Sequence, residues 1–173
     1  MAAEFKVKGL RELQLMLDTL PAKLQKNVMR SALRKGAVIM QQDAKQRAPV
    51  GEPNKRNRER YGGYKGALRD SLRVSTGIKR GGIVTASVKA GGKGKSGADV
   101  YYARWIEYGV AAHGIKRGDK GVRTGTDLHP GFPPIPFMRP ALDSKAYAAT
   151  AAIAEHIKSR LTQAGLNTED IEL

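Results

Sequence analysis

Residues that could do chemistry are few in this sequence, and they are scattered. The glycine-rich segment GGKGKSG at 91–97 ends in Gly-Lys-Ser, as does a phosphate-cradling loop, in which closely spaced backbone N–H groups and a lysine hold phosphate oxygens. That loop needs a glycine five residues before Gly94, where Lys89 stands, and no long helical pattern follows Ser96. A flexible basic segment is the better reading. His113, His129 and His156 are far apart, with no HExxH spacing and no cysteine to complete a zinc set. Asp43, Glu52, Glu59, Asp70, Asp99 and Glu107 fall in different segments, and no Ser/His/Asp arrangement can be built from them. No cofactor or metal is implied, and no residue needs catalysis to explain it.

Two basic stretches carry more information. Lys55, Arg56, Arg58, Arg60, Lys65 and Arg69 are interleaved with Tyr61 and Tyr64, and Lys116, Arg117, Lys120 and Arg123 lie among glycines. Cations on adaptable backbone suit phosphate neutralisation, or an acidic protein surface, rather than base-edge readout. No zinc-finger, RRM, KH or basic-zipper signature is present. Tyr101, Tyr102, Trp105 and Tyr108 form an aromatic cluster in sequence. A base-stacking platform is one reading of them. With only three phenylalanines in the chain, their expected place is the centre of a small core.

The whole composition sets the frame for these residues. A length of 173 residues suits one domain, expected to span 1–173. The net charge of +15 and pI near 10.2 draw the chain to polyanions and set its copies against one another unless something neutralises them. Without cysteine, stability has to come from burial and assembly. The N-terminal MAAEFKVKGLREL has no signal-type apolar run, and no segment approaches the roughly 20 apolar residues of a membrane span. The expectation is a soluble, cytosolic chain without a membrane partner.

The elements that must position these residues follow from periodicity. Leu10, Leu13, Met16, Leu17 and Leu20 recur at helical steps behind Gly9, and Pro21 ends that helix and opens a second one running to about Ala48. Apolar and small residues from Leu24 to Ala44 cover more than half of the second helix's circumference. One core contact needs only about a 100°-wide stripe, so this helix is expected to touch two neighbours, one of which could be another subunit. Residues 50–65 and 110–131 read as flexible loops. Alternation at 72–77 and 83–89 around GIKRGG predicts a β-hairpin. Val100–Tyr108 reads as a short helix capped by Gly109, with a strand breaking into a helix as the alternative. A last helix opens at Pro140 and runs to Gly165 with the stripe Leu142, Ala146, Ala149, Ile153, Ile157, Leu161 and Ala164. The acidic tail 166–173 either hangs in solvent or docks on a basic neighbour. The fold class is α+β: a small, mainly antiparallel sheet packed by the long helix of the N-terminal half and by the C-terminal helix.

Three spaced segments then stand out: GALRDSL at 66–72, YYARWIEYG at 101–109 and PFMRPAL at 136–142. Together with Gly9–Leu20 and Ala22–Pro49, their order and spacing resemble the neck or tail-completion family of long-tailed bacteriophages, whose lambda-type relatives are called minor tail protein Z-like. The resemblance covers nearly the whole chain, although no single piece is specific. It departs from the family in the longer, more basic 50–65 link, with Lys65 where threonine is usual, and in the extended 110–131 loop.

The resemblance implies a non-enzymatic structural protein of the head–tail junction, forming a sixfold ring that joins the head connector to the tail tube. A tail-terminator or head-closure ring protein is the alternative, and a stand-alone non-specific DNA-binding protein a further one. The implied partners are copies of itself, head-completion or connector proteins, tail-terminator or tail-tube proteins, and DNA in the channel, bound without sequence preference. The implied location is the virion neck or tail, with the host cytoplasm during assembly. The residues it singles out for assembly are Gly66, Leu68, Arg69, Tyr102, Glu107, Gly109, Pro136, Phe137, Arg139 and Pro140, and Glu107 and Arg139 are expected to pair. Lys55, Arg56, Arg58, Arg60, Lys116, Arg117, Lys120 and Arg123 are the expected contacts to DNA or to an acidic ring.

Overall fold

Gly9 takes a left-handed conformation (φ 71°), and from it the first helix rises in a computed structural model that describes residues 8–93, 98–114 and 128–171. The elements in chain order are α1 (Leu10–Asp18), α2 (Ala22–Arg47), α3 (Lys55–Tyr61), α4 (Ala67–Ser71), β1 (Arg73–Ile78), β2 (Val84–Lys89), α5 (Ala103–Tyr108), β3 (His113–Gly114), β4 (Leu128–His129) and α6 (Met138–Gln163). The α+β class expected from periodicity is the one observed. The chain divides into two compact units: the first is built from 1–47, 72–89 and 139–173, the second from 48–71 and 90–138.

In the first unit, α1 turns Leu13 and Leu17 inward and α2 turns in Val28, Ala32, Gly36, Ala37 and Ala44, each at helical spacing. Leu13, Leu17, Val28 and Ala32 share one apolar cluster with Ala154, Ile157 and Leu161 of α6 and with Ile171. Gly36 permits the closest approach of α2 to α6: a Cβ there would lie 2.6 Å from Ile153 Cδ1 and 2.9 Å from the Ala149 carbonyl oxygen. Beside this helical layer, β1 and β2 pair antiparallel from Arg73↔Lys89 to Ile78↔Val84, closed by a turn in which Gly81 and Gly82 both have φ near +80° (82° and 81°). No residue of either strand is fully buried, and a lone two-stranded hairpin is marginal in water. α2 packs against both strands and supports them, and Gln41 Nε2 donates to the Leu72 carbonyl at 2.7 Å.

Several expectations are corrected here. The wide apolar arc of α2 meets α1, the hairpin and α6 of the same unit, while Leu24 at its start stays 50% exposed. The stripe of α6 is packed in its middle, where it meets α2, and not at its ends: Leu142 is 50% exposed and Ala164 is exposed, while Ala141 is buried instead. The helix also begins at Met138, which leaves Pro140 in the first turn, where its missing N–H costs nothing. The tail takes neither expected course. Leu166 and Ile171 pack on the chain's own core, and the Lys158 ammonium donates to the Ile171 carbonyl, while among the described tail residues Asn167, Glu169 and Asp170 are exposed.

In the second unit, part of the expected 50–65 loop is the helix α3, which has no apolar face and so left no periodic signal in the sequence. The described ends of the 110–131 segment pair as β3 and β4, His113 opposite His129. Phe137, Leu68, Ala67, Val100, Ala98 and Ala103 form the buried centre.

Candidate functional site

Of the signature residues, Gly66, Leu68, Arg69, Tyr102, Glu107, Gly109, Pro136 and Phe137 lie in the second unit, and Arg139 and Pro140 in the first. Gly66, at φ +85°, turns the chain into α4, whose first turn closes with the Asp70 N–H donating to the Gly66 carbonyl. That turn buries Leu68, and Ser71 Oγ donates to the Leu68 carbonyl at 2.7 Å while accepting the Gly91 N–H at 3.0 Å. Arg69 stays exposed and pairs with its neighbour Asp70 at 3.4 Å, a contact that solvent renders weak.

Glu107 lies at the centre of the arrangement. Its side chain is buried, and Oε2 accepts the backbone N–H of Phe137 at 2.8 Å and of Met138 at 2.9 Å. These amides stand at the start of α6, where helix donors lack intrahelical partners and a carboxylate is favoured. Gly109, at φ +71°, ends α5, and a Cβ on it would lie 2.7 Å from Pro134 N and 2.9 Å from the Phe132 carbonyl oxygen. The proline-rich segment is thus laid against α5 by backbone contact. Val110 and Phe132 exchange both N–H···O bonds at 3.0 Å, and the Ile135 N–H donates to the Ile106 carbonyl at 2.8 Å. Phe137, fully buried, anchors the segment, whereas Pro136 is exposed. Arg139 and Pro140 follow in the first turn of α6.

The aromatic residues do not take the expected core position. Tyr101, Trp105 and Tyr108 are 41%, 49% and 62% exposed. On α5 the inward positions are Ala103 and Glu107, four apart, so 101, 105 and 108 fall on the opposite face. Only Tyr102 is drawn partly inward, and burial, with the neighbouring Tyr101 and Tyr64 hydroxyls, pushes its phenol above the ordinary range. It borders a cleft of about 230 Å³ lined also by Pro49, Pro53, Tyr61, Tyr64 and Ile135.

The 55–60 cations lie on α3, partly paired: Lys55 with Glu59 at 3.9 Å, and Arg58 with Glu52 at 3.5 Å. Lys65 also reaches Glu52, at 3.2 Å. Arg60 sits 5.6 Å from the centroid of the Tyr61 ring. Lys116, Arg117, Lys120 and Arg123 lie outside the described residues. Among the described residues no group of three metal-ligating side chains is found, and no helix is long and apolar enough to cross a membrane.

Residues 11–109 match the sequence profile of a family described as "Bacteriophage HK97-gp10, putative tail-component". The chain belongs to this family. No curated protein and no solved structure is significantly similar to it. The match covers α1, α2, the hairpin and α5, and ends at Gly109; the PFMRPAL segment, which completes the Glu107 interaction, lies beyond it. As a member of the HK97 gp10-like family, the protein is a phage tail component.

Two features escaped sequence reasoning. His156, one of the three dispersed histidines, is half-buried with its Nε2 3.1 Å from Ser31 Oγ, and burial, then Lys35 and Arg160, hold its pKa below the ordinary histidine value. Asp43 is one of the carboxylates for which the sequence alone establishes no pairing. In the structure it joins Arg47 Nε at 2.5 Å, Ser144 Oγ at 3.2 Å and Lys145 Nζ at 3.9 Å. The i,i+4 spacing of Asp43 and Arg47 was the one available signal.

Proposed function

We propose that this protein is a non-enzymatic component of the phage head–tail junction, a ring of identical copies that joins the head connector to the tail tube. The family match over residues 11–109 carries the reading at the level of a tail component; the order of the three signatures supports the narrower position at the neck. The geometry of the second unit is consistent with it. Glu107, Gly109 and Phe137 fix a proline-rich segment whose outward residues, Pro133, Pro134, Ile135 and Pro136, present rigid backbone to a neighbour. Rigid surfaces of this kind suit assembly, because little conformational entropy is lost on docking. The proposed partners are copies of the chain, the connector or head-completion proteins above it and the terminator or tube proteins below it. In this reading the chain resides in the virion and assembles in the host cytoplasm.

Loss of the gene tests this directly. Filled heads and unattached tails, or tails of faulty length, are expected, with no infectious particles, and imaging of assembled necks should show a closed ring of this chain. A null mutant that stopped DNA packaging or capsid formation would place the protein elsewhere.

A further inference from the structure

The second unit presents an aromatic surface that its interior does not use. Tyr61 and Tyr101 lie 4.7 Å apart at 50°, and Tyr101 meets Trp105 edge-on at 5.4 Å and 84°. Arg60 stands over Tyr61, and Arg104 is exposed on α5 beside Trp105. Exposed aromatic side chains flanked by arginine are the composition of interface hot spots. Nucleic acid is the weaker occupant. The rings are tilted against one another instead of offering parallel faces, and Glu52, Glu59 and Asp99 are interspersed with the cations, where they would repel phosphate.

The first unit carries a surface of complementary character. α1 holds two acids and one cation, which makes it a net-acidic helix on a chain of net charge +15. Its Leu13 and Leu17 share an apolar cluster with Ile171, which is preceded by the exposed Glu169 and Asp170. Glu12 and Asp18 stand on the helix, and Glu169 and Asp170 on the segment, whose apolar residues meet in this cluster. A groove of about 770 Å³ borders Asp18 and is lined by Leu10, Leu17, Met29, Ile83 and Ile153, with Ile83 62% exposed and one cation, Lys26, on its wall.

We infer that copies of this chain dock head to tail, the aromatic–arginine face of one (Tyr61, Tyr101, Trp105, Arg60, Arg104) receiving the acidic α1 and C-terminal end of the next. Trp105 enters the groove, and Arg60 and Arg104 meet the four carboxylates. Pairing the aromatic face with itself would set arginine against arginine, so the contact is heterologous, the kind that closes into a ring. The inference rests on the ring reading above and specifies its interface.

Trp105 is the sole tryptophan, so its emission reports this contact directly. Sedimentation and fluorescence are measured on the full chain over rising concentration, for wild type, for Arg60→Glu/Arg104→Glu and for Glu169→Lys/Asp170→Lys. The wild type is expected to associate with a blue shift of Trp105. Each variant alone should associate on the order of 100-fold more weakly, and an equimolar mixture of the two, in which every face again meets its opposite, should recover most of the loss. Circular dichroism of each variant checks its folding, and rescue in the mixture cannot come from misfolded chains. If wild type and both variants associate equally, the docking surface is wrong while the ring stands. If the wild type remains a monomer at its highest attainable concentration and particles show no ring, both readings fall. A shift of Trp105 with single-stranded oligonucleotide but not with self-association would make the face a nucleic-acid site and overturn the inference.

Discussion

Glu107 has a fixed structural task at the start of the last helix. Its carboxylate answers two buried or half-buried amide donors that no helix bond can satisfy, and an unanswered buried donor costs more than an ordinary hydrogen bond returns. Glu107→Ala is expected to lower stability by about 2–4 kcal/mol, with Glu107→Gln, which keeps one acceptor, costing less in the same urea titration. The expected pairing of Glu107 with Arg139 is open to a double-mutant cycle with Arg139→Gln: a coupling above about 0.5 kcal/mol supports it, and additive losses refute it. Asp43 gives a pH signature. The hydrogen bond from Arg47, then that from Ser144 and the charges of Arg47 and Lys145, outweigh burial and hold its carboxyl below the usual aspartate range. A lowered folded-state pKa contributes stability that is complete above the unfolded value, near 3.9, and disappears as pH falls through the folded one. Asp43→Asn should therefore melt below wild type at neutral pH, and the gap should close in acid.

At the scale of elements, the contact of α2 with α6 is set by Gly36. Alanine there would regain about 1 kcal/mol of helix propensity but would meet the Ala149 carbonyl, which is backbone and cannot rotate away. Gly36→Ala should be destabilising by about 1–2 kcal/mol net in thermal or chemical unfolding, and adding Ile153→Val, which retracts the nearer clash, should return part of the loss. The helices were legible in the sequence because their burial follows a single period, Leu13 and Leu17, or Val28, Ala32 and Gly36, repeating at helical steps, and the hairpin because 73–78 and 84–89 flank a double glycine. What the sequence hid had no such period. α3 is polar all round, and β3 and β4 are two residues each. Tyr101 and Trp105 misled because hydrophobicity alone assigns them inward, whereas the inward positions of α5 were fixed by what Glu107 must reach. Gly109 was legible as a helix end, but the contacts of Glu107 and Phe137 needed the fold.

For the whole molecule, the governing question is where a net charge of +15 is neutralised. Exposed ion pairs on α3 such as Lys55–Glu59 hold little energy, so these cations remain available to an outside partner. Replacing Lys55, Arg56, Arg58 and Arg60 with glutamine in one variant, and Lys116, Arg117, Lys120 and Arg123 in another, removes charge while leaving the buried helices and the Glu107 scaffold intact. If a set faces DNA in the channel, the purified protein loses affinity for any duplex sequence, and the slope of log K against log salt shrinks by about 0.9 for each phosphate that is no longer neutralised. A set that clamps an acidic protein ring gives the opposite pattern: duplex affinity barely moves, while heads and tails fail to join when the variant complements a null phage. The 55–60 set is expected to show this second behaviour, since Glu52 and Glu59 stand among its cations and would oppose a phosphate backbone. Wild-type joining, infectivity and duplex binding in both variants would assign all eight residues to solvated surface, and would leave the family membership, which rests on residues 11–109 as a whole, untouched.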